Sequence, residues 1–289
     1  GSGVSARATR WTASSDLALP RTLRASLGIE RNFGRVRVSA DYAWQRGSRE
    51  LRSRTRVSTS TGLWREIESS ASSVRHVLDT RINLMPQPNA RFGFFLGYLW
   101  GKATNEANGA LSLPADERNP GAERGPSASD ARHRFFGLVN GRPLRSLSVS
   151  ALISAQSGLP LDVTTGRDDN GDGVLNDRPI GVTRNSSRMP GRFNVDVRLG
   201  WSKSFGAVRT TRPGGGVRVV RIGDGEGAPD MGDGGEPRRY RVGVYLQAFN
   251  ALNRTNPTAV GAVFGSPLFS QVLAAEPGRR VELGTTLSF

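Results

Sequence analysis

Cysteine is missing from this 289-residue chain, and lysine and histidine are nearly missing. The only lysines are Lys102 and Lys203, and the only histidines are His76 and His133. Without thiols there are no disulfides and no thiolate metal sites. Neither histidine lies in a metal-spaced motif. No apolar run approaches the roughly 20 residues of a membrane helix, so a helical crossing is excluded. No G-x-S-x-G, H-E-x-x-H or G-x-x-x-x-G-K-[ST] occurs, which leaves catalysis without support and the chain reading as a non-enzyme. Gly214-Gly215-Gly216 lacks the lysine and the strand–helix setting of a phosphate loop and reads as linker. The opening Gly1-Ser2-Gly3 is neither an initiator methionine nor a signal peptide. The formal charge of +15 therefore comes almost wholly from arginine. The arginines are scattered, with no dense basic block or binding motif, so no nucleic-acid partner is expected. A planar guanidinium suits a watery wall, where it pairs with carboxylates or lipid phosphates.

What the chain does have is alternation. In the last residues, Val281, Leu283, Thr285, Leu287 and Phe289 fall on one side of a period-two pattern, and Arg280, Glu282, Gly284, Thr286 and Ser288 on the other. Such a strand meets an apolar medium on one face and water on the other. Nine segments repeat this: 21–30, 35–46, 73–84, 91–104, 132–141, 145–157, 192–205, 239–250 and 279–289. The fifth is less regular, because Phe135 and Phe136 are adjacent. Each is about ten residues or more, the length of a tilted membrane crossing. Mean hydropathy does not exclude this, because half of every such strand and all of its loops are polar.

The connections alternate too. Residues 31–34, 85–90 and 141–144 read as tight turns, and 47–72, 105–130, 156–191 and 251–278 as long polar loops. Clipped turns at one end and long loops at the other are the pattern of an outer-membrane barrel. Segment 206–238 breaks the rule and reads as a flexible Gly-rich insertion, with 217–222 able to extend a hairpin. Tyr42, Trp44, Tyr98, Trp100, Trp201, Phe205 and Tyr240 fall toward strand ends, where interfacial girdles form. The fold expected is all-β: an antiparallel transmembrane β-barrel. Nine crossings with Phe289 on the periplasmic side leave residues 1–20 outside the cell, whereas a complete bacterial barrel has an even strand count. The expectation is therefore a partial barrel of about nine or ten long strands, with residues 1–289 the C-terminal part of a barrel domain whose plug and signal peptide lie elsewhere.

Several stretches resemble the C-terminal barrel of TonB-dependent receptors, in particular the Oar-like group with a carboxypeptidase-regulatory-like domain. Ser26-Leu27-Gly28-Ile29-Glu30-Arg31 resembles that family's strand start, and Arg65-Glu66-Ile67-Glu68-Ser69-Ser70 the segment before its next strand. Ala155-Gln156-Ser157-Gly158-Leu159-Pro160, followed by Thr164-Thr165-Gly166-Arg167-Asp168-Asp169-Asn170-Gly171-Asp172-Gly173-Val174-Leu175-Asn176-Asp177-Arg178-Pro179, is the most distinctive. Phe249-Asn250-Ala251-Leu252-Asn253-Arg254-Thr255-Asn256-Pro257 and the closing strand complete the set. The resemblance implies a barrel of about 22 strands around a plug. It further implies passage of a bulky solute across the outer membrane, powered through the plug by the TonB complex.

Three groups of candidate site residues follow. Asp168, Asn170 and Asp172 with Gly173 read D-x-N-x-D-G, the first half of a calcium loop, and Asp177 is a possible fourth ligand. The bidentate acid that should come six residues after the glycine is missing, so an Asx/Gly turn is the competing reading. No cofactor is required; Ca2+ would stiffen the loop. Arg37, Asp41, Arg75, Asp79, Arg81, Asp196, Arg198, Arg241 and Glu282 should face the lumen, where they either hold a plug or form a solvated wall. Val281, Leu283, Leu287 and Phe289 form a C-terminal strand signal of the kind that barrel-assembly machinery reads. The expected partners are outer-membrane lipid, the N-terminal strands and plug, the TonB complex and that machinery. Two other readings stay open: an adhesin, secretion conduit or surface scaffold, and a soluble basic all-β binding module.

Overall fold

A computed structural model describes residues 10–58, 62–84, 91–208 and 238–289. The strands in chain order are β1 (Arg10–Ala13), β2 (Arg21–Phe33), β3 (Val36–Ser58), β4 (Gly62–Leu84), β5 (Phe92–Asn105), β6 (Gly125–Pro126), β7 (His133–Leu144) and β8 (Leu147–Gln156). They continue with β9 (Pro160–Leu161), β10 (Ser187–Arg188), β11 (Arg192–Val208), β12 (Arg238–Phe249), β13 (Pro257–Val260), β14 (Val272–Ala275) and β15 (Arg280–Ser288). One 3-10 turn, Pro120–Glu123, is the only helical piece among the described residues. All nine segments picked out by alternation are strands. They lie side by side in the order β15-β12-β11-β8-β7-β5-β4-β3-β2, each antiparallel to its neighbour.

Register keeps one chemistry on each face. Tyr42 stands across from Leu78, Leu78 from Trp100, Leu199 from Val149 and Leu246, and Leu246 from Leu283. A slip of one residue would exchange the two faces, so the apolar set fixes the pairing. That apolar face is bare: Leu27 is 80% exposed and Leu283 74%. No second layer covers it. Of the few buried apolar side chains among the described residues, Ala71 sits midway along β4 and Ala107, Ala131 and Val163 in the long connections. Among the described residues the sheet does not close, since β2 pairs only with β3 and β15 only with β12.

Two connections differ from the sequence reading. Residues 47–58 and 62–72 are strand rather than loop. β3 and β4 run on as a paired ribbon of 23 residues each, through register shifts at Gly47, Glu50 and Arg52. The polar composition that suggested a loop is that of a ribbon held by polar contacts to another loop, which has no apolar alternation to reveal it. The turn expected at 141–144 is displaced: β7 continues to Leu144, which pairs with Leu147. At the other end of β3 the two-residue turn between Phe33 and Val36 puts Gly34 at φ 59°, the first central position where such hairpins take glycine. The tight turn at 85–90 lies outside the described residues. So does nearly all of the 206–238 insertion, including 217–222; only the end of β11 and the start of β12 are described.

Candidate functional site

Strand alternation places the charged residues on the face opposite the apolar belt. On β2–β4, Arg24, Asp41, Arg75, Asp79 and Arg81 line one recess of about 380 Å³. Asp41 and Asp79 stand directly across from each other, and the Arg81 guanidinium donates to both Asp79 oxygens at 3.2 and 2.5 Å. Arg37 is apart from this group, paired with Glu30 at 3.4 Å near the tight turn. A second recess, on β8, β11, β12 and β15, holds Arg198 and Arg241. Arg198 lies 3.9 Å over the Tyr245 ring and donates to Gln247 Oε1 at 3.2 Å; Arg241 donates to Ser202 Oγ at 3.3 Å. Glu282 is held by Arg280 at 3.0 Å. Asp196 is buried at the outer end of its strand, where Oδ1 accepts the Asn250 N–H and an Asn194 amide hydrogen, both at 2.8 Å. Its role is to tie a loop to the wall.

The long connections pack on one another around buried charges. The Arg178 guanidinium forks onto Glu123 at 2.7 and 3.0 Å and onto Asp162 at 2.8 and 3.0 Å. Arg184, 3% exposed, donates to the Asn105 carbonyl and side chain, the Glu123 carbonyl and Asn108. Burial works to lower the pKa of both arginines. At Arg178 the hydrogen bonds and charges of Asp162 and Glu123 outweigh it, and the value rises. At Arg184 burial prevails over the attraction of Glu123 and Asp162, and the value falls. Asp130 receives Arg188 at 2.6 Å, Arg132 at 3.2 Å and the Ala103 N–H at 2.8 Å. Burial pushes its carboxyl up, but these three donors hold it below its ordinary value. The ribbon joins the assembly: Arg54 donates to the Glu117 carboxylate and carbonyl at 2.5 and 2.6 Å, and Ser53 N–H to Ser112 O at 2.9 Å. Between ribbon and loops lies an open cavity of about 550 Å³, lined among others by Asp116, Arg118, Asp172, Asp177, Arg178 and Arg184.

The structure brings the candidate calcium residues into one turn on that cavity. Most of their oxygens are engaged there. Asp168 accepts the N–H groups of Gly171, Asp172 and Gly173 at 2.7–2.9 Å. Asp177 accepts those of Asp169 and Asn170 and the Asn170 side-chain amide. Asn170 Oδ1 accepts from Asp172, and Asp172 Oδ1 from Val174. One oxygen differs: Asp172 Oδ2 is shielded from solvent and has no partner. Burial, reinforced by the charges of Asp168 and Asp177 and opposed by Val174 and Asn170, raises the Asp172 pKa. Among the described residues, no three His, Asp or Glu side chains converge in a ready metal cage.

At the closing strand, Val281, Leu283 and Leu287 point out from the apolar face, and Phe289 follows β15 at 88% exposed. The profile of a family described as outer membrane beta barrel domain matches residues 66–282. The chain belongs to that family. Its apolar belt is therefore the lipid face and its place the outer membrane. Solved structures agree on the fold. The outer membrane transporter YddB from Escherichia coli is 13% identical with a TM-score of 0.60, over 97% of this chain and 34% of that one. The FrpB iron transporter from Neisseria meningitidis in its apoprotein form is 12% identical with a TM-score of 0.54, over 96% and 32%. The ferric-catecholate import receptor Fiu from E. coli K12 is 12% identical with a TM-score of 0.51, over 95% and 28%. The barrel chain thus spans about a third of the length of the structures it matches. No curated protein matches it in sequence.

Sequence reasoning missed the barrel's most ordered polar assembly. Arg178 and Arg184 meet Asp162, Glu123 and Asn105 across separations of 16 to 79 residues, and Arg188 meets Asp130 across 58. No local spacing encodes that. The one available signal was charge inside long loops that should otherwise be neutral and small.

Proposed function

We propose that this barrel chain is part of the wall and outer mouth of a TonB-dependent transporter of the Oar-like group. It passes a bulky solute and carries out no covalent chemistry. The observation that carries the reading is the loop assembly. The ribbon and the long connections stand at one end; two of the connections are locked together by buried Arg–carboxylate pairs, and these two with the ribbon enclose a polar recess of about 550 Å³. A mouth of this kind contacts solute, while the lumen charges below contact a plug through ion pairs that can break and re-form. The likeness to transporters supports the fold this needs. On the same reading a calcium ion stiffens the 168–177 turn, with Asp172 Oδ2 the unclaimed ligand atom.

The β3–β4 ribbon is the feature a surface scaffold would use. Its arginines instead tie it back onto loop 105–133, which makes it a wall of the mouth. The deciding experiment uses the full-length gene product in cells. Cysteines at Asp79 and Arg198 should cross-link to a plug, and uptake should stop when the proton-motive force is collapsed. Surface adhesion that survives both the loss of that force and removal of the plug would establish the scaffold instead.

A further inference from the structure

The two histidines occupy equivalent places. His76 on β4 stands across from Trp44 of β3, and its Nδ1 lies 2.8 Å from the Tyr42 hydroxyl. His133 on β7 stands across from Trp100 of β5, and its Nδ1 lies 2.8 Å from the Tyr98 hydroxyl. A Tyr-x-Trp on one strand and a histidine on the next therefore occur twice. Ring centroids are 6.3 and 6.1 Å apart in the two Tyr–His pairs. Both pairs lie on the lipid face, at the upper edge of the apolar belt beside the outer loops. Lys102, one of two lysines, stands across from His76 on its other side, so Trp44, His76 and Lys102 form one row over three strands. Lys102 is also diagonal to His133, within the reach of side chains two rungs apart. Arg46 follows Trp44 on the same face, one rung higher. Lys102 and Arg46 form no ion pair with any described residue, and Glu106, further up this face, is held by Ser72 and Arg124.

We infer that Lys102, His76 and His133 form a binding site on the barrel's outer wall for the phosphate of an outer-leaflet lipid headgroup. Each tyrosine engages Nδ1 and fixes its imidazole, leaving Nε2 to face away. A tyrosine hydroxyl that donates to Nδ1 selects the tautomer with hydrogen on Nε2, and an imidazolium carries one there in any case. Either form offers an N–H to an anion beside the Lys102 ammonium. The occupant is a lipid rather than a soluble anion because the cations sit on the rim of a bare apolar belt. Leu78, Leu96 and Ile82 continue the same face below, where acyl chains lie. The tryptophans beside the histidines suit the headgroup level. This inference rests on the membrane placement and not on the transport reading.

The test is lipid binding to the purified full-length barrel in neutral detergent, read by native mass spectrometry. The probes are a bisphosphorylated lipid A and its dephosphorylated counterpart. The native barrel should retain the phosphorylated lipid preferentially. The triple variant Lys102→Ala, His76→Gln, His133→Gln should lose about tenfold or more in affinity and all discrimination, as expected for losing charge-assisted contacts. Lys203→Ala, which removes the other lysine at the far end of the belt, should change nothing. Tyr42→Phe with Tyr98→Phe leaves every cation in place and should still weaken discrimination. Heat-modifiable gel mobility shows which variants remain folded. Equal retention of both lipids by the native barrel, or undiminished discrimination in the folded triple variant, would overturn the site and leave ordinary aromatic anchoring. Displacement of the lipid by inorganic phosphate at equal concentration would make it a soluble-anion site and would also overturn it.

Discussion

At the scale of single residues, stability is concentrated where charge is buried. Glu123 faces two guanidiniums, and removing it leaves Arg184 without its paired carboxylate and Arg178 with Asp162 alone. Breaking a buried pair from one side is destabilising by about 3–5 kcal/mol. Glu123→Ala should therefore loosen loops 105–133 and 156–192 together, seen as a joint loss of amide protection while the β7–β8 ladder keeps its own. Asp130 gives the pH dependence. Its folded pKa is depressed, so its contribution is complete above the unfolded value, about 3.9, and is lost as pH falls through the folded value. Hydrogen exchange near residues 125–133 should stay slow down to about pH 4 and accelerate below it, and Asp130→Asn should abolish that step. Asp172 has the opposite sign. Its raised pKa makes the ionised form a burden that grows as pH rises through the folded value. Without a cation, Asp172→Asn should protect the 168–177 turn at neutral pH. Calcium should protect the native turn and not the variant, and a native turn indifferent to calcium would remove the ion from the account.

At the scale of elements, the two faces of each strand should respond differently. Arginine in place of Val244, near the middle of the β12 lipid face, should be destabilising by about 2–4 kcal/mol in lipid vesicles. Ser154→Arg on the lumen face of β8 should stay within about 0.5 kcal/mol. Equal costs would mean that lipid does not touch the belt. The nine staves were legible because lipid on one side and water on the other impose period two, a local pattern that any window of ten residues displays. The ribbon of β3 and β4 was not legible, because Arg52, Arg54 and Glu68 are held there by ion pairs and hydrogen bonds, which leave no period-two apolar pattern. The loop motifs lay between these cases. Ala155-Gln156-Ser157-Gly158-Leu159-Pro160 stood out in sequence, but its reason is spatial: a Cβ on Gly158 would collide with the Met189 carbonyl. The asparagines that follow Phe249 are likewise structural. Asn250, at φ 46°, grips Arg254 and Pro277, and Asn256, 1% exposed, accepts the Phe193 N–H at 2.8 Å. The candidate site was half visible. Alternation put Asp41, Asp79 and Arg81 on one face, whereas the Arg178–Glu123–Arg184 cluster needed two loops to be folded against each other first.

At the scale of the whole molecule, the governing fact is that a nine-stave path ends in two open edges. All thirteen residues of β2 are exposed, and β15 offers its outer ladder to nothing among the described residues. Each edge is a row of N–H and C=O groups, and hydrocarbon has no water to satisfy them. An unpaired backbone group there costs several kcal/mol, so two such edges outweigh anything the loop salt bridges contribute. Residues 1–289 refolded alone into lipid vesicles should therefore fail to give a compact, heat-modifiable monomer. They should aggregate through β2 and β15 or remain at the bilayer surface. A longer chain that adds neighbouring strands to both edges should instead insert as a monomer, with the amides of both edges protected from exchange. Proline at Ser26 separates edge pairing from general damage. Counting from the hydrogen-bonded Phe33–Val36 pair at the turn, the Ser26 N–H points away from β3 to the open side, so proline there removes a donor that an edge does not use and a paired strand does. Ser26→Pro should thus be disruptive in the complete barrel and close to silent in the isolated chain. If the isolated chain instead folds to a stable monomer with β2 protected, the two edges have met each other, and the barrel is complete with nine staves.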